Sequence, residues 1–249
     1  MKQSLALVLL LVASNAWAQQ PPAAARQQIT AAVQALGGQA YCAARTIVSK
    51  GRIAAFFQGQ PTGALTPVVV SSRLPDREHI ALGPKGSVVQ IFHSGAAWEI
   101  TYKGVKPLPA TTIAAYDRSR QYALRAVLCE WAADPKSILI DQGPRTADGH
   151  LAHAVTVINR SNLSAAIIID AVTHLPLQAA YRWRDPEFHD QNTDAVIYAN
   201  YHEVAGIATP FTITRLHNGQ TVSQFFMDRV RYNVPLGPGL FDPAENKRP

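Results

Sequence analysis

The densest run of chemically capable side chains is Asp185, Glu187, His189, Asp190 and Asp194. Acidic residues spaced along a loop can wrap a hard cation with oxygen ligands. This run lacks the turn glycine and the terminal bidentate glutamate of an EF-hand. It therefore reads first as a solvated hairpin loop, and a metal-dependent enzyme acting through it is the outside alternative. His150 and His153 flank an expected strand start, but two histidines at that spacing need further ligands to hold a metal. Glu99 follows Trp98 and Glu130 precedes Trp131. Burial would raise their pKa values, yet neither has an identifiable partner for acid catalysis. The chain has no G-x-S-x-G elbow, no H-E-x-x-H, no P-loop and no C-x-x-C. No catalytic residue, metal or cofactor is expected, and the chain is read as a non-enzyme.

The N-terminus explains where such a protein would work. Met1-Lys2-Gln3 is a short charged start, Leu5 to Ala13 an apolar run, and Asn15-Ala16-Trp17-Ala18 a small-x-small cleavage pattern. Residues 1–18 read as a secretory signal peptide, too short in its apolar run to span a membrane. The rest, 19–249, is expected to be a single domain, soluble in the periplasm after export and a monomer. A formal net charge of +6 over 249 residues is spread thinly, without a Lys/Arg block. Basic residues are not interleaved with aromatics on a stripe, which argues against nucleic acid as a partner. Two cysteines, Cys42 and Cys129, would meet an oxidising compartment. A bond between them would close a loop of roughly ninety residues and stabilise by about 4–5 kcal/mol of chain entropy. The alternative is two buried thiols acting as small apolar side chains.

These side chains must be carried by strands for the most part. Arg26 to Leu36 is helical, with Ile29, Val33 and Leu36 on one stripe and Gly37-Gly38 as the stop. Strands are expected at 45–57, 65–72, 77–82, 87–93 and 97–102, separated by Gly/Pro turns. One helix is expected over Thr111 to Trp131, ended by Asp134-Pro135. Strands resume at 137–141, 152–159, 165–170 and 177–184. A three-stranded meander follows over 193–232, turning at Val204-Ala205-Gly206 and at Asn218-Gly219. On its middle strand Phe211, Ile213 and Arg215 project one way and Thr212, Thr214 and Leu216 the other. Leu177, Ala179, Tyr181 and Trp183 share a face, as do Ala195, Ile197, Ala199 and Tyr201. Helix, strands, helix, strands with short crossings argues an α+β fold built on one antiparallel sheet. Its apolar face either packs against the helices or leaves room for a ligand, and periodicity cannot choose between the two.

In order along the chain, several short elements resemble the periplasmic lipoprotein carriers and sorting proteins of the LolA type. They are Ala35-Leu36-Gly37-Gly38, Arg73-Leu74-Pro75 with Arg77, and Ser94-Gly95-Ala96-Ala97-Trp98. Further on come 147–155, Ile169-Asp170-Ala171-Val172-Thr173-His174-Leu175-Pro176-Leu177, and Tyr201 to Phe211. The resemblance implies a curved antiparallel half-barrel of about 11 strands, with a few helices covering the concave face as a lid over an apolar cavity. It implies binding of lipoprotein acyl chains or another lipid rather than catalysis, and a latch arginine beside a proline, for which Arg73 is the nearest match.

On that reading the partners are a lipid or lipidated protein, with other envelope proteins as further candidates. Lid residues would be Ile113, Tyr116, Leu124 and Val127. Cavity residues from the strands would be Val89, Ile91, Trp98, Ile167, Ile169, Trp183 and Phe225. The function expected is that of a carrier or chaperone for an amphiphile. The alternative is an envelope sensor or assembly accessory that holds a polypeptide on the same concave face or on an edge strand.

Overall fold

The computed structural model describes residues 22–93, 95–147 and 149–246. The signal peptide expected over residues 1–18 lies outside them. Helix α1 (Pro22–Ala35) starts earlier than the expected Arg26, inside the Pro/Ala segment. Proline is favoured in a first helical turn, where its missing N–H leaves no bond unmade. Ala25, Ile29, Ala32 and Leu36 form its buried stripe, at the i, i+4, i+7 spacing of a helix laid on a core. A short helix α2 (Gln39–Cys42) follows.

Thirteen strands build one sheet, all neighbours antiparallel. The first six are β1 (Thr46–Phe57), β2 (Gln60–Arg73), β3 (Arg77–Leu82), β4 (Val88–His93), β5 (Ala96–Thr101) and β6 (Gly104–Pro107). The rest are β7 (Ile138–Ala147), β8 (His150–Ile158), β9 (Ser164–Asp170), β10 (Pro176–Arg184), β11 (Gln191–Val204), β12 (Ile207–His217) and β13 (Gln220–Tyr232). Spatial order runs β6-β5-β4-β3-β2-β1-β13-β12-β11-β10-β9-β8-β7. The sheet is curved and unclosed, an α+β half-barrel. It has two more strands than the roughly eleven expected; β6, only four residues long, is one that the turn signals concealed.

β1 and β13 close the two halves of the chain against one another. At their contact Gly51 sits where the register shifts, and a Cβ there would strike the Phe226 carbonyl oxygen. Only glycine allows that approach.

The single helix expected over 111–131 is two elements. Helix α3 (Ala110–Gln121) stops at Tyr122, and Ala123 is extended with ψ 139°. Helix α4 (Leu124–Ala126) then runs into a π-helical turn, Val127–Trp131. Tyr122 stacks on Tyr181 with ring centroids 3.9 Å apart and meets Trp131 edge-on at 5.2 Å. The break lets the two pieces lie differently. α3 buries no residue fully, while Leu124, Val127, Leu128 and Trp131 enter the main core.

That core lies between α1, the 124–131 segment and the concave face of β7 to β10, where Leu139, Val155, Val157, Ile167 and Ile169 are buried. A smaller cluster joins Val89, Ile91 and Ile100 to Phe241 from the C-terminal segment. Among the described residues, no helix is long and apolar enough to cross a membrane.

Candidate functional site

The concave face is not filled along its whole width. Beneath α3, from β3 through β1 to β10, a cavity of about 1150 Å³ remains. That exceeds the few hundred to 1,000 Å³ or so of ordinary ligand sites. Over β1, β2, β3 and β10 its wall takes every second residue, as a pleated sheet does, while on β13 the parity changes at the register shift opposite Gly51. Ile47, Ser49 and Ile53 come from β1, Val68, Val70 and Ser72 from β2, and Glu78, Ile80 and Leu82 from β3. On the other side Ala179, Tyr181 and Trp183 come from β10, and Ile213 and Arg215 from β12. Phe225, Met227, Val230 and Tyr232 complete the wall from β13.

On β11 the wall residues are Asp194, Val196 and Tyr198, with Ala195 at the Asp194 end, and then Tyr201. Asn200 has φ 55°, and ladder pairing passes from Ala199–Thr212 to Tyr201–Pro210 around it. Residues of opposite parity therefore reach the same space, and the uninterrupted face expected over Ala195 to Tyr201 does not exist. The seven steps along β11 from Asp194 to Tyr201, at about 3.3 Å each, make the cavity about 23 Å long in this direction.

The two ends differ. At one, Tyr41 from α2 joins Tyr198, Tyr201 and Tyr232. Burial is the chief cause that pushes all four phenols above the ordinary tyrosine value. The Tyr201 hydroxyl donates to the Pro176 carbonyl at 2.7 Å, and Tyr232 shares a 2.9 Å bond with Thr209. At the other end Asp194 accepts from Trp183 Nε1 at 2.9 Å and bonds His217 Nδ1 at 2.7 Å. Arg118 from α3 lies 3.5 Å over the Trp183 ring, with its Nε 3.9 Å from Asp194.

Helix α3 is the roof. Arg120 holds it by two bonds to the Pro75 carbonyl in the β2–β3 turn, at 3.0 Å from Nε and 2.6 Å from a terminal nitrogen. Tyr116 stacks on Phe92 at 4.1 Å, and its buried hydroxyl has no hydrogen-bond partner among the described residues. Cys42 of α2 and Cys129 of the π-helical turn are joined in a disulfide, with Cα atoms 5.6 Å apart.

Of the residues chosen from sequence, Tyr116, Leu124, Trp183 and Phe225 line the cavity. Val127, Ile167 and Ile169 are on the concave side but are packed into the core under α1. Ile113 is half-buried on α3 and is not part of the wall. Val89, Ile91 and Trp98 belong to the opposite, convex face. On β4 it is Phe92 that enters the cavity, so its odd neighbours point outward, where Leu236, Leu240 and Phe241 cover them.

Arg73 follows them outward. It donates to the Leu236 carbonyl at 3.2 Å and lies 5.1 Å over the Phe241 ring. It pins the C-terminal segment, and the contact to α3 is made by Arg120 instead. Sequence reasoning missed Arg120 because its acceptor is a backbone carbonyl forty-five residues away.

The acidic loop dissolves as a cluster. Asp185 accepts from the Glu187 and Phe188 amides, and its carboxyl sits below the usual range because of those backbone bonds, Phe188 first. Glu187, His189 and Asp190 are exposed, and Asp194 turns into the cavity. Among the described residues, no three His, Cys, Asp or Glu side chains converge as a metal site. His150 bonds Asp170 at 3.0 Å. Asp170 chiefly ties its own turn, accepting from the Val172 and Thr173 amides. Glu99 is held below the usual carboxylate range, first by its hydrogen bond from Lys106, in place of the rise that burial would bring.

No family model and no curated protein matches the chain. Solved structures do. A domain named for outer membrane lipoprotein sorting, from Vibrio parahaemolyticus, aligns over 92% of this chain and 100% of its own, with TM-score 0.55 and 10% identity. A DUF1329 family protein from Desulfovibrio piger aligns over 90% of this chain and 98% of its own, with TM-score 0.58 and 12% identity. A LolA superfamily protein from Nitrosomonas europaea covers 87% of this chain and 96% of its own at TM-score 0.49 and 12% identity. The open sheet, its strand order and the first two of these likenesses together establish a LolA-like fold.

Proposed function

We propose that this protein binds an amphiphile, by its acyl chain or chains, in the cavity under α3, and carries or presents it in the periplasm. One observation carries the reading: half of the concave face has no helix packed into it, and a long, mostly apolar space lies there. Each methylene buried against such a wall contributes about 0.8 kcal/mol, so a long chain is held without polar recognition. The roof suits entry, since α3 buries no residue fully and is joined to the chain through extended Pro109 and Ala123. A disulfide fits an exported protein, and the fold is one on which lipoprotein-sorting proteins are built. Fold likeness alone does not fix function, so the cavity, not the likeness, is the basis.

Native mass spectrometry of protein purified without detergent tests this. A co-purifying mass in the lipid range, lost on organic extraction and regained on mixing with lipid, is the expected result. Protein that stays bare and takes up no lipid would sink it. A second reading, a polypeptide added to the sheet, draws on edge strand β7, where Ile138 and Ile140 are exposed. Bare protein that captures extended peptides would favour it.

A further inference from the structure

Four arginines line the cavity, and three are engaged. Arg120 holds the Pro75 carbonyl. Arg125 holds Glu130 and the Cys42 carbonyl. Arg118 is stacked on Trp183 with Asp194 at 3.9 Å, and Asp185 also acts on it at longer range. Arg215 has no hydrogen bond and no carboxylate within ion-pair distance among the described residues.

Arg215 is an exposed residue of the wall, with apolar and polar neighbours. Across the ladder it faces Val196 on β11 and Ser223 on β13, with Ile213 two residues along its own strand. Asp194, two ladder rungs along from Arg215, is already held by two hydrogen bonds shorter than its contact with Arg118. Asp76 and Glu78 lie by β3, four strands away in the sheet order, and Asp117 is on α3. The Asp194 end thus holds the guanidinium groups of Arg118 and Arg215 beside the committed carboxylate of Asp194, with Asp185 acting on Arg118 at longer range. Arg118 Nε is buried without a hydrogen-bond partner among the described residues.

An exposed guanidinium on a mostly apolar cavity wall, with no carboxylate of the described residues engaging it, can receive an anionic group that enters the cavity. Resting on the amphiphile reading above, we infer that Arg215, with Ser223 beside it, receives the anionic head of a single-chain amphiphile, a carboxylate or a phosphate monoester. The chain then runs along β11 to β13 toward Tyr201 and Tyr232. Apolar contact supplies the affinity, and Arg215 supplies the choice of head group and the direction in which the ligand lies.

Displacement of Nile red from the purified protein by hexadecanoate, hexadecyl phosphate and hexadecanol tests the assignment. The chains match, so the ratios between ligands report the head. At least one anion should displace the dye at roughly tenfold or lower concentration than the alcohol. Which anion does so separates a fatty acid from a phosphate ester. Arg215→Gln should bring the ratio close to one, and Arg215→Lys should keep part of it. Equal displacement by all three, or a gap that survives Arg215→Gln, overturns the head-group assignment and leaves the cavity reading standing. If the dye binds nowhere and no ligand is taken up, the cavity reading falls, and the assignment falls with it.

Discussion

The concave face of this sheet is used in two ways. Over β7 to β9, α1 and the 124–131 segment fill it with Ile29, Leu36, Val127 and Trp131, and the strand residues beneath are fully buried. Over β1 to β3 and β10 to β13 the same alternating pattern faces a cavity roofed by α3. Apolar residues alternate along the strands on both sides, although the cavity wall also carries Ser49, Ser72, Glu78, Asp194 and Arg215. What differs is the helix above. The filling helices present Leu, Ile, Val and Trp, whereas α3, ATTIAAYDRSRQ, presents small and polar residues and buries none fully. A sheet specifies that something apolar must cover it, and the covering helix decides whether that is protein or ligand.

The contrast can be broken from either side. Reducing the disulfide, or replacing both cysteines by serine, unties α2 at the tyrosine end of the cavity from the packed 124–131 segment. Urea unfolding should show a loss on the order of 4 kcal/mol. A loss below about 1 kcal/mol would mean that the two halves are held by packing alone.

Ile167→Ala, in the filled half, should cost about 3 kcal/mol in the same assay, from lost transfer energy and the void left behind. Ile213→Ala, its counterpart in the open half, should cost under about 1 kcal/mol, since few atoms close over it. It should instead weaken Nile red binding. Equal costs at the two sites would erase the distinction between packed and unpacked face.

A pH series sharpens the point further. The Asp170 carboxyl, in the filled half, is held below its ordinary value, first by the Thr173 amide and also by the Val172 amide and His150. A group depressed on folding contributes stability above its unfolded pKa of about 3.9 and loses it as pH falls toward the folded value. Asp170→Asn should therefore cost about 2 kcal/mol at neutral pH and much less at pH 3. A cost that does not change with pH would assign the turn's stability to shape rather than charge.

Much of the arrangement is readable from the chain. The shared face of Ala179, Tyr181 and Trp183 is the cavity face, and Ile213 and Arg215 project together into it. The Asn218-Gly219 hairpin joins β12 to β13 as expected. Other parts are not local. β4 reads VVQIFH, apolar on both faces, so Val89 and Ile91 could not be told from Phe92 until the C-terminal segment was seen to cover one side. The helical period runs unbroken through Ala123, which carries no breaking signal; the turn there is imposed by Tyr122 stacking on a strand nearly sixty residues on, at Tyr181. Arg73 is next to the proline loop in sequence but faces away from α3, while Arg120 is remote in sequence and touches it.

The bond between Cys42 and Cys129 has one more consequence. It makes a covalent ring that contains β1 to β6 and all of α3. A protease that enters at the exposed turns of α3 and cuts it once therefore releases nothing. The two ends stay tethered through the disulfide, and β1 stays zipped to β13. A nicked molecule would migrate as a single species until a reductant is added, with its roof severed and its sheet intact. Such a roof can be damaged without the protein being lost.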